Sequence, residues 1–108
     1  MKKIEINNIN SKTYKVLSGK ELGEEARKFF KLDQLDLESE NVTFVVPEAV
    51  FSINSSFFSA MFQQSIKKLG VQKFREKYMF ECDDIIKMNI ENGIFNVAGT
   101  TDFLGGQS

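Results

Sequence analysis

Two adjacent serines, Ser55 and Ser56, carry the most informative chemistry in this sequence. They follow Asn54, where an apolar β-type run gives way to an apolar pattern with helical spacing. The first backbone N–H groups of a helix lack internal partners and carry partial positive charge, so this is a position where a negative group is stabilised. The sequence therefore predicts a strand-to-helix junction that can hold an anion or accept a phosphoryl group.

The same residues also have a purely structural interpretation. Either Asn54 caps the helix and the serines fill its first turn, or one of the serines is itself the cap. Neither arrangement excludes modification, because a phosphoryl group on a first-turn serine adds about −1.5 to −2 charges beside helix N–H donors. Both interpretations stay open at this stage.

Other catalytic chemistry is limited by composition. The chain has no histidine, which removes a Ser-His-Asp triad, a Cys-His pair and a histidine metal site. Cys82 precedes two aspartates, which raise rather than lower the pKa of a thiol, so we interpret it as a packed residue. No glycine-rich nucleotide-binding motif precedes a helix. We therefore expect no catalytic residue and no cofactor.

An acidic group in the last third of the chain is the enzymatic alternative. Glu81, Asp83 and Asp84 carry the oxygen atoms that magnesium prefers. Adjacent carboxylates at a helix start are more often caps favoured by the helix dipole. We expect capping and no metal, and a small-molecule enzyme using residues 81–84 is the less favoured function.

The overall charge is balanced, with 14 basic and 15 acidic residues. Such a chain has no global field to attract nucleic acid or an anionic membrane, so we predict neither partner. One basic set follows the second predicted helix, and we interpret it as a solvated face that could border an acidic partner: Lys67, Lys68, Lys73, Arg75 and Lys77. A single cysteine, no signal segment and no membrane-length apolar run predict a cytoplasmic protein.

The first third of the chain predicts a hairpin and a helix. Residues 3–6 and 13–17 alternate polar and apolar side chains, which indicates two strands joined around residues 7–11. Ser18 and Glu21 have the spacing of a capping box, which predicts a helix over residues 19–31. The acidic segment 33–41 then reads as a connection.

The middle of the chain predicts the centre of the fold. Residues 42–46 are nearly all apolar and β-branched, as in a central strand covered on both faces, and Pro47 ends it. A second helix then begins near Ser55 and ends at Gly70. Phe57 and Phe58 point about 100° apart on that helix, so either both lie in the core or Phe57 lies at the rim as a binding anchor.

The last third predicts a short helical turn over residues 71–77 and a strand over residues 78–82. Asp83 or Asp84 caps a third helix that runs to Ile94. Residues 95–103 are an expected edge strand, and residues 104–108 an expected flexible tail. The predicted fold is a single α/β domain over residues 1–103, with a mixed, mostly parallel sheet of about four or five strands and about three helices.

Ser-Phe at the start of the second helix and Leu69-Gly70 at its end carry a family resemblance. Over residues 42–94 the chain resembles STAS-like domains related to the anti-sigma-factor antagonists, and Ser56 matches the acceptor serine of those proteins. The antagonists have an aspartate near the strand end and Asp-Ser-Ser-Gly at the helix start. This chain has Val45-Val46 and Asn54-Ser55-Ser56-Phe57 instead, and in this it is similar to the uncharacterised STAS-like branch.

The resemblance implies a non-enzymatic regulatory module whose partner is a histidine-kinase-like ATPase. The family surface corresponds here to Ile53, Asn54, Ser55, Ser56, Phe57 and Ala60. Ser56 is the implied phosphoacceptor, with Ser55 as the lesser candidate. An unmodified adaptor, or a homodimer that uses Phe57 and the sheet edge, is the alternative binding function.

Overall fold

Seven short strands and five helices are present in the computed structural model, which describes the backbone of residues 2–106 and the side chains of residues 2–99. The elements are β1 (Lys2–Glu5), β2 (Asn8–Ile9), β3 (Lys12–Thr13), β4 (Val16–Leu17), α1 (Lys20–Phe29), α2 (Leu32–Leu35), β5 (Val42–Val45), β6 (Ser52–Ile53), α3 (Ser55–Leu69), α4 (Val71–Lys77), β7 (Tyr78–Glu81) and α5 (Asp84–Gly106).

The main sheet has the order β1-β5-β7, and both of its pairings are parallel. Two smaller pairs accompany it: β2 with β3 is antiparallel, and β4 with β6 is parallel. The prediction of a mixed α/β chain with a mostly parallel sheet and a central strand at residues 42–46 is confirmed. The expected numbers are wrong, since the main sheet has three strands and residues 2–106 form five helices.

The main sheet is covered on one face only. Its register places Phe44 between Ile4 and Phe80, and these side chains point into the core. On the other face Glu5, Met79 and Glu81 are exposed. Strand β5 is nevertheless buried along its length, except that Val45 is half-buried. Its outer face is instead shielded by neighbouring strands, because Lys3 of β1 and Glu81 of β7 form an ion pair of 3.5 Å across it.

Aromatic rings fill the space between the sheet and α3. Phe62 of α3 is their centre, with ring centroids of Phe44, Phe74 and Phe80 each 5.5 Å away in edge-to-face contact. Phe58 and Tyr78 also contact Phe62, at 5.0 and 6.0 Å. Edge-to-face and offset contacts of this kind favour a defined arrangement of rings as well as burial, so this cluster fixes α3 on the sheet.

A buried polar network lies beside the aromatic cluster. The carboxylate of Asp36, which has no exposed side-chain area, accepts hydrogen bonds from the Arg27 guanidinium at 2.8 Å and the Tyr78 hydroxyl at 2.6 Å. The Ser65 hydroxyl lies 2.7 Å from the same carboxylate. Arg27 also donates to the carbonyl of Met61 at 2.8 Å. Since each charge has partners, the network avoids the large cost of an unpaired buried ion.

Several local predictions are corrected by long-range pairing. Residues 3–6 and 13–17 do not form a hairpin with each other, because β1 pairs with β5 and β4 with β6. The hairpin is tighter, between β2 and β3, and turns through Asn10 and Ser11 with positive φ. The segment 33–41 is not a simple polar connection, since it contains part of α2 and the buried Asp36.

The third predicted helix extends past its expected end. Asp83 caps α5 by accepting the Ile86 N–H at 2.9 Å, as expected. The edge strand predicted at residues 95–103 is wrong, because α5 continues to Gly106. Ile90, Ile94 and Val97 are buried at successive helical turns, so packing of one face explains the continuation. Residues 104–106 of the predicted tail belong to this helix, and residues 107–108 lie outside the described part of the chain.

Replacing Asp36 tests the buried network. We expect Asp36→Ala to lower the free energy of unfolding by about 3–5 kcal/mol, because it leaves Arg27 buried without its enclosed partner. Asp33 is a matched control: its carboxylate also bonds Arg27, at 2.6 Å, but its side chain is 76% exposed. Asp33→Ala should cost about 1 kcal/mol or less. Urea unfolding of both variants measures this, and equal losses would contradict a stabilising role for the enclosed carboxylate.

Candidate functional site

The junction between β6 and α3 is a capped helix start on the surface. The Asn54 side chain accepts the Ser56 N–H at 2.9 Å, and its Oδ1 atom also lies 2.9 Å from the Ser56 hydroxyl, which donates to it. Asn54, Ser55 and Ser56 are all exposed. Of the two arrangements left open by the sequence, Asn54 is therefore the cap and both serines lie in the first turn, with the helix beginning at Ser55 as predicted.

Ser56 also connects α3 to α1. Its Oγ atom accepts a hydrogen bond of 3.1 Å from the N–H of Gly19, the residue that precedes α1. The capping box predicted at Ser18 and Glu21 is wrong, because Gly19 takes the cap position and no side chain caps this helix. Gly19 has a φ of 97°, a conformation that a serine adopts only with strain. In place of a capping side chain, the Ser56 hydroxyl of α3 accepts a hydrogen bond from the N–H of Gly19.

The pairing of β4 with β6 explains why the two helix starts meet. Leu17 and Ile53 are opposite each other in this parallel pair, and the Asn54 N–H donates to the Leu17 carbonyl at 2.8 Å. Each strand is followed within three residues by its helix, so α1 and α3 begin side by side. Gly23 then lets the helices approach closely, since a Cβ atom there would lie 2.5 Å from the Phe57 carbonyl oxygen.

Three of the residues predicted to contact a partner are buried or half-buried. Phe57 is 0% exposed, so of the two alternatives the core is the one found, and Phe57 is not an exposed binding anchor. Ile53 is also buried, and Ala60 is half-buried opposite Gly23. The reason is the close packing of α1 on α3, which covers the side of α3 that carries Phe57. Of the predicted set, Asn54, Ser55 and Ser56 remain accessible.

Two apolar residues that the sequence interpretation missed lie beside the junction. Val16 is exposed at the start of β4, and Phe51, 68% exposed, immediately precedes β6. The Phe51 N–H donates to the Lys15 carbonyl at 2.7 Å, which fixes the two segments together. At about 3.3 Å per extended residue, Phe51 lies within roughly 13 Å of Ser55. The sequence does contain a signal for this site: Phe51 is apolar and lies between Pro47 and the Asn54 cap, outside the helical pattern.

These five residues define one exposed surface, which we call the junction surface: Val16, Phe51, Asn54, Ser55 and Ser56. A shallow cavity of about 720 Å³ borders it, with Val16, Gly19 and Lys20 among its lining residues. The surface combines apolar side chains, hydroxyl groups and the positive ends of two helix dipoles. It is suited to contact a protein and to respond to a negative charge.

The acidic alternative has a different geometry. A cavity of about 360 Å³ lies at the carboxyl ends of β5 and β7 and is lined in part by Glu48, Glu81 and Asp83. Asp83 is engaged as the cap of α5, and Glu81 pairs with Lys3. Within the described residues, no group of three or more acidic or cysteine side chains is placed to hold a metal ion.

The predicted basic face is divided. Arg75 forms a two-pronged ion pair with Glu91, with both N···O distances 2.7 Å. Lys77 is buried and donates to the carbonyls of Glu38 and Glu40 at 2.6 and 2.7 Å. Lys67, Lys68 and Lys73 are exposed. The set is therefore not one continuous solvated surface, because Lys77 closes the loop before β5.

Comparisons with known proteins give no relative. No protein-family model, curated protein or solved structure matches this chain. Between residues 2 and 106, no helix combines the length and apolar character needed to cross a membrane. The junction surface therefore has to be interpreted from its own geometry.

Replacing Asn54 tests the capped start of α3. Asn54→Ala removes the acceptor of the Ser56 N–H and hydroxyl, and we expect the free energy of unfolding to fall by about 1 kcal/mol. Ser55→Ala, on the same exposed turn, is the control and should change it by less than about 0.5 kcal/mol. Chemical denaturation gives both values. A loss that is as large in Ser55→Ala would show that the cap is assigned to the wrong residue.

The reactivity of Cys82 tests its environment. Burial raises the pKa of this thiol, the neighbouring charges of Asp83 and Asp84 raise it further, and Lys87 partly opposes them. The thiolate is the reacting form, so alkylation by iodoacetamide should have its pH midpoint above that of the same chain unfolded in urea. A midpoint in the folded chain at or below that of the unfolded chain would identify an activated cysteine.

Proposed function

We propose that this chain is a non-enzymatic, STAS-like regulatory module that binds a protein partner through the junction surface. The proposed partner is a histidine-kinase-like ATPase, which phosphorylates Ser56 and thereby weakens the complex. The observation that carries the proposal is the exposed Ser56 hydroxyl, which bonds both the Asn54 cap and the Gly19 N–H at the meeting point of two helix starts.

The fold supports the STAS-like part of the proposal. A parallel strand, a Ser-Phe helix start, a glycine at the helix end and a second parallel strand follow one another from β5 to β7. Gly70 has a φ of 85° and ends α3, as the family pattern implies. The helix start lies on the surface, where the regulated serine of the related antagonists has to be reached by a kinase.

The contacts of Ser56 supply a mechanism for the switch. Its hydroxyl donates to Asn54 and accepts from Gly19, and a phosphoryl ester has no hydroxyl hydrogen to donate. Phosphorylation therefore removes the hydrogen bond from the Ser56 hydroxyl to Asn54 and adds about −1.5 to −2 charges to the junction surface. The phosphate would lie next to Gly19, on the exposed surface that also carries the apolar side chains of Val16 and Phe51. A partner that covers those side chains would have to desolvate the new charge, which weakens binding.

The need for ATP as phosphoryl donor places the proposed module in the cytoplasm. The unmodified adaptor is a second candidate, and the exposure of Val16 and Phe51 favours it. In that case the same surface binds a partner through buried aromatic area, and Ser56 only holds the two helix starts together.

Recovery of bound proteins from cells of the source organism tests the surface. Three tagged chains are compared: wild type, Phe51→Asp and Phe95→Asp, the last changing an exposed phenylalanine on α5 as a control. We expect the ATPase to be recovered with wild type and with Phe95→Asp. The amount recovered with Phe51→Asp should be at least about tenfold lower. Thermal unfolding checks that each variant folds. Equal recovery by Phe51→Asp would reject the junction surface as the binding site.

Incubation of the purified chain with the recovered ATPase and Mg-ATP tests the switch. Intact-mass measurement should find one phosphoryl group on wild type and on Ser55→Ala, and none on Ser56→Ala. The phosphorylated chain should then bind the ATPase more weakly than the unmodified chain. Binding without any phosphorylation of wild type would reject the switch and leave the adaptor function.

A further inference from the structure

Strand β1 is an edge of the main sheet, with β5 on one side only. The Ile6 N–H donates to the Val45 carbonyl at 3.1 Å, and the Lys2 N–H, four residues earlier, also faces this side, with a bond of 3.1 Å to the carbonyl just before β5. Successive residues of a strand direct their backbone groups to opposite sides. The N–H and C=O groups of Lys3 and Glu5 therefore face outward, and in the part of the chain that the structure describes no backbone hydrogen bond uses them.

These four groups make the β1 edge a template for another strand. A row of unpaired donors and acceptors on an edge strand is completed by an extended backbone that lies alongside it. Lys3 and Glu5 are both exposed. The other edge of the sheet is less open, because the Tyr78 N–H of β7 is already bonded to the Phe74 carbonyl of α4.

We propose that the β1 edge binds the β1 edge of a second copy of this chain, as an antiparallel pair centred on Ile4. In this register, Lys3 of each copy exchanges two backbone hydrogen bonds with Glu5 of the other, so all four outward groups of both chains are bonded. The two-fold axis is perpendicular to the sheets, which join into one continuous sheet of six strands. The contact is self-complementary and closed.

The charges of β1 select this register. Because only Lys3 and Glu5 direct backbone groups outward, an antiparallel pair places Lys3 opposite Lys3, Glu5 opposite Glu5, or Lys3 opposite Glu5. The first two put like charges directly across from each other, which is destabilising. The third forms two pairs of opposite charge. A second copy of β1 is therefore an occupant whose charges complement those of the edge.

The contacts that Lys3 and Glu5 make within the chain leave room for these pairs. Lys3 lies 3.5 Å from the Glu81 carboxylate, and one oxygen of Glu5 accepts from the Asn8 side chain at 3.0 Å. An ammonium group has three hydrogens and a carboxylate has two oxygens. Both side chains are exposed and point to the open face of the sheet, where the other copy's side chains also lie.

An apolar groove on the covered side of the sheet supports the same arrangement. A cavity of about 430 Å³ lies beside β1, with Ile4, Phe29, Phe30 and Leu35 in its lining, and Phe29 is 44% exposed. The perpendicular axis brings the half-buried Ile4 side chains of the two copies together beside this groove. A parallel pair would need an axis along the strands, which would turn the covered face of one sheet to the open side of the other.

The charged residues of the groove lie away from the axis. They are Lys2, Lys31 and Glu38. In the proposed register Lys2 is opposite Ile6 of the other copy, so the two Lys2 residues are about 14 Å apart. This exceeds the screening length of about 8–10 Å at physiological salt, so their repulsion is small.

The dimer is weak because β1 has only four residues. We expect a dissociation constant on the order of 10–100 μM. Phe57, which the sequence associated with a homodimer, is buried and takes no part. The β1 edge shares no residue with the junction surface, so the dimer and the proposed function are tested separately.

Sedimentation equilibrium of the full chain over a range of about 5–500 μM tests the dimer. Wild type should pass from monomer to dimer. Lys3→Pro should stay monomeric, because it removes an outward N–H that β5 does not use, a position where an edge strand tolerates proline. Lys3→Arg keeps both the N–H and the charge, and should dimerise as wild type does. Thermal unfolding checks that each variant folds.

Three results of this experiment would overturn the proposal. They are a wild-type chain that is monomeric at every concentration, a Lys3→Pro chain that dimerises as readily as wild type, and assemblies larger than a dimer. The last would indicate open-ended pairing of β1 with β7.

Exchange of the two charges tests the register, in a Glu81→Gln background that removes the partner of Lys3 within the chain. Glu5→Lys puts two lysines opposite each other twice, so the dissociation constant should rise at least about tenfold. Adding Lys3→Glu restores opposite charges, and the double variant should dimerise within about threefold of the background chain. A double variant that dissociates as readily as Glu5→Lys, or a Glu5→Lys chain with unchanged affinity, would contradict the proposed register.

Discussion

The buried carboxylate of Asp36 holds together the parts of the chain that place the junction surface. It accepts hydrogen bonds from Arg27 of α1 and Tyr78 of β7, and it binds the Ser65 hydroxyl of α3. Burial raises the pKa of the Tyr78 phenol, and the hydrogen bond to Asp36 raises it further, so the phenol remains a donor across the physiological range. Two neutral donors and a charged one on the same carboxylate fix α1, α3 and the sheet relative to one another.

The pair of helices α1 and α3 is held by buried hydrogen bonds at one end and by an exposed hydrogen bond at the other. Arg27 bonds the Met61 carbonyl and the Ser65 hydroxyl inside the protein, whereas at the helix starts the bond between the Gly19 N–H and the Ser56 hydroxyl is exposed to solvent. Ser56 and Ser65 are nine residues apart on α3, or about 14 Å. A charge added at Ser56 therefore changes the exposed end and leaves the buried network intact, which suits a local switch in a chain that must stay folded.

The sequence predicted the elements whose signals are local. The apolar run at residues 42–46, the helix start at Ser55, the glycine stop at Gly70 and the cap at Asp83 are all found in the structure. The predictions that were wrong failed because of contacts between residues that are distant in sequence. Phe57 is buried because Gly23, distant in sequence, brings α1 against it, and Asp36 is enclosed because its three partners come from three other elements. Helix α5 continues past Ile94 because Val97 is buried on the same face as Ile90 and Ile94, which the mixed glycine and polar composition of residues 95–103 does not indicate.

Hydrogen–deuterium exchange of the complex with the recovered partner tests the central claim, that a partner covers the meeting point of the two helix starts. It measures protection at each backbone amide and needs no mutation. We expect slower exchange in residues 15–20 and 51–57 on binding, with little change in residues 85–95 of α5. Protection confined to the exposed face of α5, to the acidic cavity at the ends of β5 and β7, or to the open face of the sheet would contradict this binding site.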